Sequence, residues 1–248
     1  MKRILGWLAG AVLLLGSTAS AAPVYSNDFQ GTPDMTGWNY TFRTTDNAGE
    51  TVLGVFNHNQ HVQLVLPGLA PGQYTVSFDF FIFNTWDANG EHCCGPDYFT
   101  FQINGTNFVH ATFGGVPTCC GGVSISQGFT LATPLGGQAP LAPAGTDASG
   151  VGVLDISSAF GTPVPNWRYS LSFLFTHAGG DLVLSFIGGV TQPGQWYNGY
   201  YDEPWALDNV QVIATPVPEP STLLLLGAGL AGLAGARQRR NGQRPPRG

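Results

Sequence analysis

Apolar and polar residues alternate with period two along much of the chain. Tyr74, Val76, Phe78, Phe80 and Ile82 alternate with Thr75, Ser77, Asp79, Phe81 and Phe83. Trp167, Tyr169, Leu171, Phe173 and Phe175 alternate in the same way with Arg168, Ser170, Ser172, Leu174 and Thr176. This period marks strands with one buried face. Further strands are predicted over Val24 to Phe29, Thr51 to Phe56, His61 to Leu66, Tyr98 to Ile103, Thr106 to Phe113, Val151 to Ile156, Leu182 to Ile187 and Trp205 to Ile213. About ten strands separated by Gly/Pro turns suit an all-β fold, a single jelly-roll-like β-sandwich. No repeat period is evident, and Ala132 to Gly150 reads as a Gly/Pro/Ala-rich loop.

Composition agrees. The chain has 248 residues, 43% hydrophobic and only 10% charged, with 35 Gly and 18 Pro. That is enough for one domain with a substantial core and argues against a helical bundle. Charge is unevenly placed: seven of the nine basic residues lie at the two ends. Between Ala22 and Pro218 only Arg43 and Arg168 face fourteen Asp and Glu, a net charge of -12. Such a body repels nucleic acid, whose binding depends on Lys and Arg, and is able to recruit divalent cations.

Both ends read as addresses. Residues 1–21 have a basic start (Lys2, Arg3), an apolar run from Ile4 to Leu15 and small residues at Ala19 and Ala21, the pattern of a secretory signal peptide cut after Ala21. At the other end, Pro218, Glu219 and Pro220 precede an apolar run from Thr222 to Ala236 and then Arg237, Arg239 and Arg240; residues 241–248 are a basic tail. The Arg cluster would stay in the cytoplasm and leave the body outside. The Val217-Pro-Glu-Pro-Ser221 run, the Leu/Gly/Ala helix and the Arg cluster together resemble the bacterial PEP-CTERM sorting signal over about 25 residues. The resemblance implies processing by an exosortase-like membrane protease. It also implies transient inner-membrane association through residues 216–240, then release of the body (22–215) to the cell surface or exopolysaccharide matrix.

Asn104-Gly105 between two strands is the strongest hairpin signal in the chain. Counted outward from that turn, residue n faces residue 209 - n. Cys93 and Cys94 then approach Cys119 and Cys120. In an exported protein two disulfides are expected, pairing 93 with 119 and 94 with 120 or crossed. A four-thiolate zinc site is the alternative, but the Cys-x2-Cys spacing that favours it is missing.

Two sets of acidic residues are candidate metal ligands. Alternation places Asp208 on the face of Ala206, Val210 and Val212, an apolar face where a carboxylate needs a partner such as Ca2+. Asp28 is the expected second ligand, since first and last strands of a jelly roll are commonly neighbours. Asn27-Asp28-Phe29 and Trp205-Ala-Leu-Asp208-Asn-Val210 resemble the terminal strands of galactose-binding-like and carbohydrate-binding jelly rolls. That resemblance implies a structural Ca2+ between Asp28 and Asp208. The second set is Asp87, Asn89 and Asp97, whose alternating oxygen side chains in a Gly-containing loop are similar to the opening of a calcium loop. Ordinary turn chemistry is the competing account of both sets.

Trp196, Tyr197, Tyr200, Tyr201 and Trp205 cluster beside Asn198, Asp202 and Glu203. Flat rings with adjacent hydrogen-bonding groups can stack on sugars and read their hydroxyls, which suggests extracellular polysaccharide as the partner; packing at the sandwich rim is the plainer account. Nucleophile-elbow, zincin and phosphate-loop motifs are all missing, and His58 and His61 read as a turn. The expectation is an exported, non-catalytic glycan-binding sandwich stabilised by Ca2+. A purely structural matrix protein and a glycoside hydrolase with carboxylates from distant loops are the alternatives.

Overall fold

The computed structural model describes residues 23–56, 60–84, 86–89, 95–115, 118–119, 123–124, 126–132, 134–137, 140–157, 165–189, 195–197, 200–201, 203–215, 227–235 and 237; for 118–119, 123–124, 195–197 and 200–201 it gives the backbone alone. One compact unit spans Ala22–Thr215. The strands are β1 (Pro23–Asn27), β2 (Arg43–Thr45), β3 (Thr51–Phe56), β4 (His61–Leu69), β5 (Gly72–Phe83), β6 (Tyr98–Ile103) and β7 (Thr106–Thr112). Short pieces follow: β8 (Thr118–Cys119), β9 (Val123–Ser124), β10 (Ser126–Gln127), β11 (Ala142–Pro143) and β12 (Gly150–Val151). The chain then forms β13 (Asn166–His177), β14 (Gly180–Gly189), β15 (Gln195–Tyr197), β16 (Tyr200–Tyr201) and β17 (Trp205–Ala214).

Two antiparallel sheets make the sandwich. The larger has seven strands in the order β12-β13-β5-β17-β3-β2, with β1 also on β17; the smaller has four, β4-β14-β6-β7. The alternating residues of β5 and β13 point inward, as their pattern requires. Tyr74, Val76, Phe78, Phe80 and Ile82 meet Phe99, Phe101, Leu184 and Phe186 of the smaller sheet in one buried cluster. Phe80 stacks on Phe99 at 3.8 Å, and Phe78 packs against Phe101 at 4.8 Å and Phe186 at 5.0 Å. Each ring pair adds about 0.5–1.5 kcal/mol beyond simple burial. The whole cluster lies within Ala22–Thr215, so this unit has the core it needs to fold alone.

Three expectations need correction. The β6–β7 register follows the 209 - n rule only at Gln102↔Asn107 and Ile103↔Thr106; a bulge then shifts it to Phe101↔Val109 and Tyr98↔Thr112. The extra residue on β7 slides every later pair by one. Val151 to Ile156 is not a strand beyond Val151: Gly152 turns at φ +62°, and the Asn166 side chain takes both backbone groups of Leu154. Leu154 and Ile156 instead cover the outer face of the larger sheet over Val52, Val55, Phe81, Phe83 and Ala206. The third correction concerns β17. A bulge at Asp208–Asn209, with Asn209 at φ +51°, reverses the alternation. Leu207 and Val210 both enter the main core, whereas Ala206 joins the outer cluster.

Loop 140–150 is better fixed than its composition suggests. Gln127, fully buried, accepts hydrogen bonds from Gly145 N (2.9 Å) and the Tyr169 hydroxyl (3.2 Å) and donates to Thr146 O (2.9 Å) and Phe129 O (2.7 Å). Residues 37–39 run along β4, with Val65 N donating to Gly37 O (2.9 Å). Gly37 has φ +88°, and a Cβ there would overlap the Val65 carbonyl. Gly37→Ala is therefore expected to lower stability by about 1–3 kcal/mol in urea unfolding, through left-handed strain and a displaced segment; an unchanged midpoint would contradict this close approach.

Candidate metal centre

The loop that leaves β5 is drawn to the start of β17 by one carbonyl. Pro204 O accepts hydrogen bonds from Phe83 N (3.0 Å) and the Trp86 indole (3.0 Å). Left-handed conformations at Asn84 (φ 62°) and Ala88 (φ 46°) turn the loop around Trp86. Asp87 then bridges to Gly114, two residues past β7, and Asp97 N donates to Ala88 O (2.9 Å). The Asp97 carboxylate accepts the Asp87 N–H, and Asp97 O accepts from Phe113 N (3.1 Å). Glu203 arrives from the other side, one residue before Pro204.

Asp87, Asp97 and Glu203 thus converge, each offering a carboxylate oxygen within 4.8 Å of the others. They are 3%, 0% and 0% exposed. At an effective dielectric near 20, ionised carboxylates at such spacing repel by roughly 3 kcal/mol per pair. The charged form therefore calls for countercharge. Three hard oxygen donors fit Ca2+, which takes six to eight oxygens, better than a metal that prefers nitrogen or sulfur.

Of the sequence candidates, Asp87 and Asp97 enter this group. Asn89 lies in the same loop, where its backbone N–H donates to Ser126 O (3.1 Å). Glu203 was visible only as a polar neighbour of aromatics. Its signal is a carboxylate immediately before an apolar strand, and its ligand partners lie far away in sequence.

Asp28 follows the last residue of β1, which pairs with β17, the strand of Asp208, through Asn27↔Val210. Asp28 and Asp208 form no three-carboxylate group among the described residues. Asp28 is exposed and accepts Gln30 N (3.1 Å) within its own turn. Asp208 is buried, but on the outer face beside Ala206, opposite Val210 and Val212 because of the bulge. There it sits across from Asp79, accepts Asn209 N (2.7 Å) and shares a hydrogen bond with Glu50. Burial first, then the Glu50 and Asp79 charges, push its carboxyl up to about 8, against the pull of the Asn209 N–H.

Trp205 is corrected outright: it is 0% exposed and packs on Phe56, Phe80 and Phe99, so it presents no face to a sugar. Trp196, Tyr197, Tyr200 and Tyr201 lie on the β15–β16 hairpin, whose side chains are outside the described residues. So are the side chains of Cys93, Cys94, Cys119 and Cys120, although β8, carrying Cys119, pairs with β9. His58 and residues 1–21 also lie outside the described residues, and His61 is exposed.

In the tail, residues 227–235 are helical and exposed. No described helix is long and apolar enough to cross a membrane. A family model aligns with this end of the chain. Residues 216–240 are a PEP-CTERM protein-sorting motif. The PEP-CTERM motif includes Pro218, Glu219, Pro220, Arg237, Arg239 and Arg240 and marks the chain as an exported, sorted protein. No curated protein matches the chain. Among solved structures, a carbohydrate-binding module from Cellvibrio mixtus lichenase 5A, in complex with cellotriose, is similar at 10% identity and a TM-score of 0.30. The match covers 79% of this chain and 100% of that one, and is too loose to bear on fold or ligand.

Proposed function

We propose that this chain is a non-catalytic cell-surface or matrix protein. Its PEP-CTERM motif engages an exosortase-like protease, and its sandwich, stabilised by Ca2+ at Asp87, Asp97 and Glu203, binds extracellular polysaccharide. The observation that carries the non-catalytic reading is burial. A catalytic carboxylate must touch substrate, and the one three-carboxylate group among the described residues is enclosed. Such a group suits a resident ion whose charge offsets the acids and ties the β5 loop to the start of β17. Bound there, Ca2+ supplies electrostatic cross-linking and no chemistry at a substrate.

The polysaccharide component is supported by the aromatic composition of the β15–β16 hairpin, which ends just before Glu203. A purely structural matrix role is the second reading, favoured by the withdrawal of Trp205 into the core.

Thermal unfolding of Ala22–Thr215 with Ca2+ against EGTA tests the ion. A site saturated at 100 times its dissociation constant adds about 2.7 kcal/mol, and Glu203→Gln should abolish that gain. Equal stability of wild type in Ca2+ and EGTA would rule the ion out. Depletion onto insoluble polysaccharide, lost in a Trp196→Ala/Tyr200→Ala double variant, separates the binder from the structural protein. Release of reducing sugar would instead reveal a hydrolase.

A further inference from the structure

Sheet edges present unpaired N–H and C=O groups, and proteins usually blunt them. Most of the edges here are blunted. Along β4, Asn39 N donates to Gln63 O (3.1 Å), while the Asn39 side chain binds His61 O (2.9 Å) and Gln63 N (2.7 Å). Along β7, Gly136 N donates to Phe108 O (3.0 Å). At the far side of the larger sheet the edge consists of two short strands, β2 of three residues beginning with Arg43 and β1 of five beginning with Pro23, which has no N–H. Short, charged or proline-bearing edges resist pairing.

Beyond the cover at its start, which extends to a Ser149 Oγ–Ser170 Oγ hydrogen bond (3.0 Å), the edge formed by β13 has none of these devices among the described residues. The two-residue β12 covers Trp167 and Arg168 only, with Ser149 N donating to Arg168 O (2.7 Å) and Gly152 N to Asn166 O (2.8 Å). These outward carbonyls fix the phase. By the two-residue period, Ser170, Ser172, Leu174 and Thr176 also turn their backbone groups away from β5. No described strand pairs with residues 169–177 on that side. Ser172, Leu174 and Thr176 are exposed, Leu174 to 59%, and Ser170–Thr176 contains no charge and no proline. Beside the edge, Leu131 is 70% exposed and borders a shallow groove with Phe108 and Phe173.

We propose that the Ser170–Thr176 edge pairs antiparallel with the same edge of a second copy of this chain. A two-fold axis through Leu174 sets that residue against its own counterpart and Ser172 against Thr176. Small hydroxyl, leucine, small hydroxyl reads alike in both directions, so the edge is complementary to itself. A heterologous peptide would find no charged anchor here. The acidic bodies repel one another, so this association strengthens with salt, contrary to one driven by opposite charges.

Sedimentation equilibrium of Ala22–Thr215 over a wide concentration series, at about 0.15 M and about 1 M NaCl, where the Debye length falls to about 3 Å, tests this. The expected result is a weak monomer–dimer equilibrium, tighter at the higher salt. Leu174→Lys, at an exposed position, should be monomeric throughout with an unchanged unfolding temperature. Ser172→Pro, which deletes an outward N–H, should weaken the dimer independently. A wild type monomeric at every concentration and both salts overturns the proposal, as does a dimer that both variants leave intact.

Discussion

Truncating Trp205 to Ala should cost about 3–5 kcal/mol, enough in a domain of this size to lower the unfolding temperature by roughly 6–20 °C. The indole is fully buried at the first position of β17 and touches Phe56 at 4.7 Å, Phe99 at 5.9 Å and Phe80 at 6.2 Å. Alanine would remove the ring on which residues from β3, β5 and β6 meet. Trp205→Phe should cost much less. The indole N–H has no hydrogen-bond partner among the described residues, so its removal relieves a buried polar group while most of the ring volume stays. Urea unfolding of the three proteins checks the order. An alanine variant as stable as wild type would mean that Trp205 is at the surface, as stacking on a sugar would require.

The second expected result is a pH dependence belonging to Asp208. Its carboxyl is raised in the folded chain to about 8, chiefly by burial and then by Glu50 and Asp79. A carboxyl raised on folding favours the native state while protonated in both states. Its contribution is complete below the unfolded value near 4 and is lost as pH rises through the folded value. The slope has a ceiling of about 1.4 kcal/mol per pH unit, so the loss between pH 4 and 8 should reach a few kcal/mol. Asp208→Asn should match wild type near pH 4, unfold later than wild type at pH 8, and show a flatter profile between them. Denaturation in EGTA at several pH values measures this without interference from bound metal. Parallel profiles would show that Asp208 titrates alike in both states.

Long one-sided strands were readable because each carries its own instruction. In β5 and β13 every second residue is apolar, and no neighbour is needed to decide which face is buried. Asp208 shows where that logic ends. Its orientation depends on the bulge at Asn209, where β17 exchanges β3 for β1 as its partner, and a partner exchange leaves no trace in local alternation. Phe108 is similar, since one extra residue on β7 changes the register of all that follows. Asp87 and Asp97 share a loop region and were visible as oxygen donors. Glu203 completes their group through the hydrogen bonds to Pro204 O, a tertiary fact. Trp205 failed for another reason: a Tyr/Trp-rich run has one composition whether its rings stack on sugar or on phenylalanine.

The pairing of β1 with β17 has a mechanical meaning for a protein carried on a tail. Pro23 lies opposite Ile213, and Thr215 N still donates to Gln73 O (2.8 Å) at the start of β5. Tension applied through the sorting segment enters the body along β17, a strand in the interior of the larger sheet rather than at its border. Antiparallel ladders on both flanks share that load lengthwise and must slip together, whereas a border strand could be unzipped one bond at a time. A body held by that tail would thus hang from one of its most firmly held strands, with Pro23 beside the point of suspension.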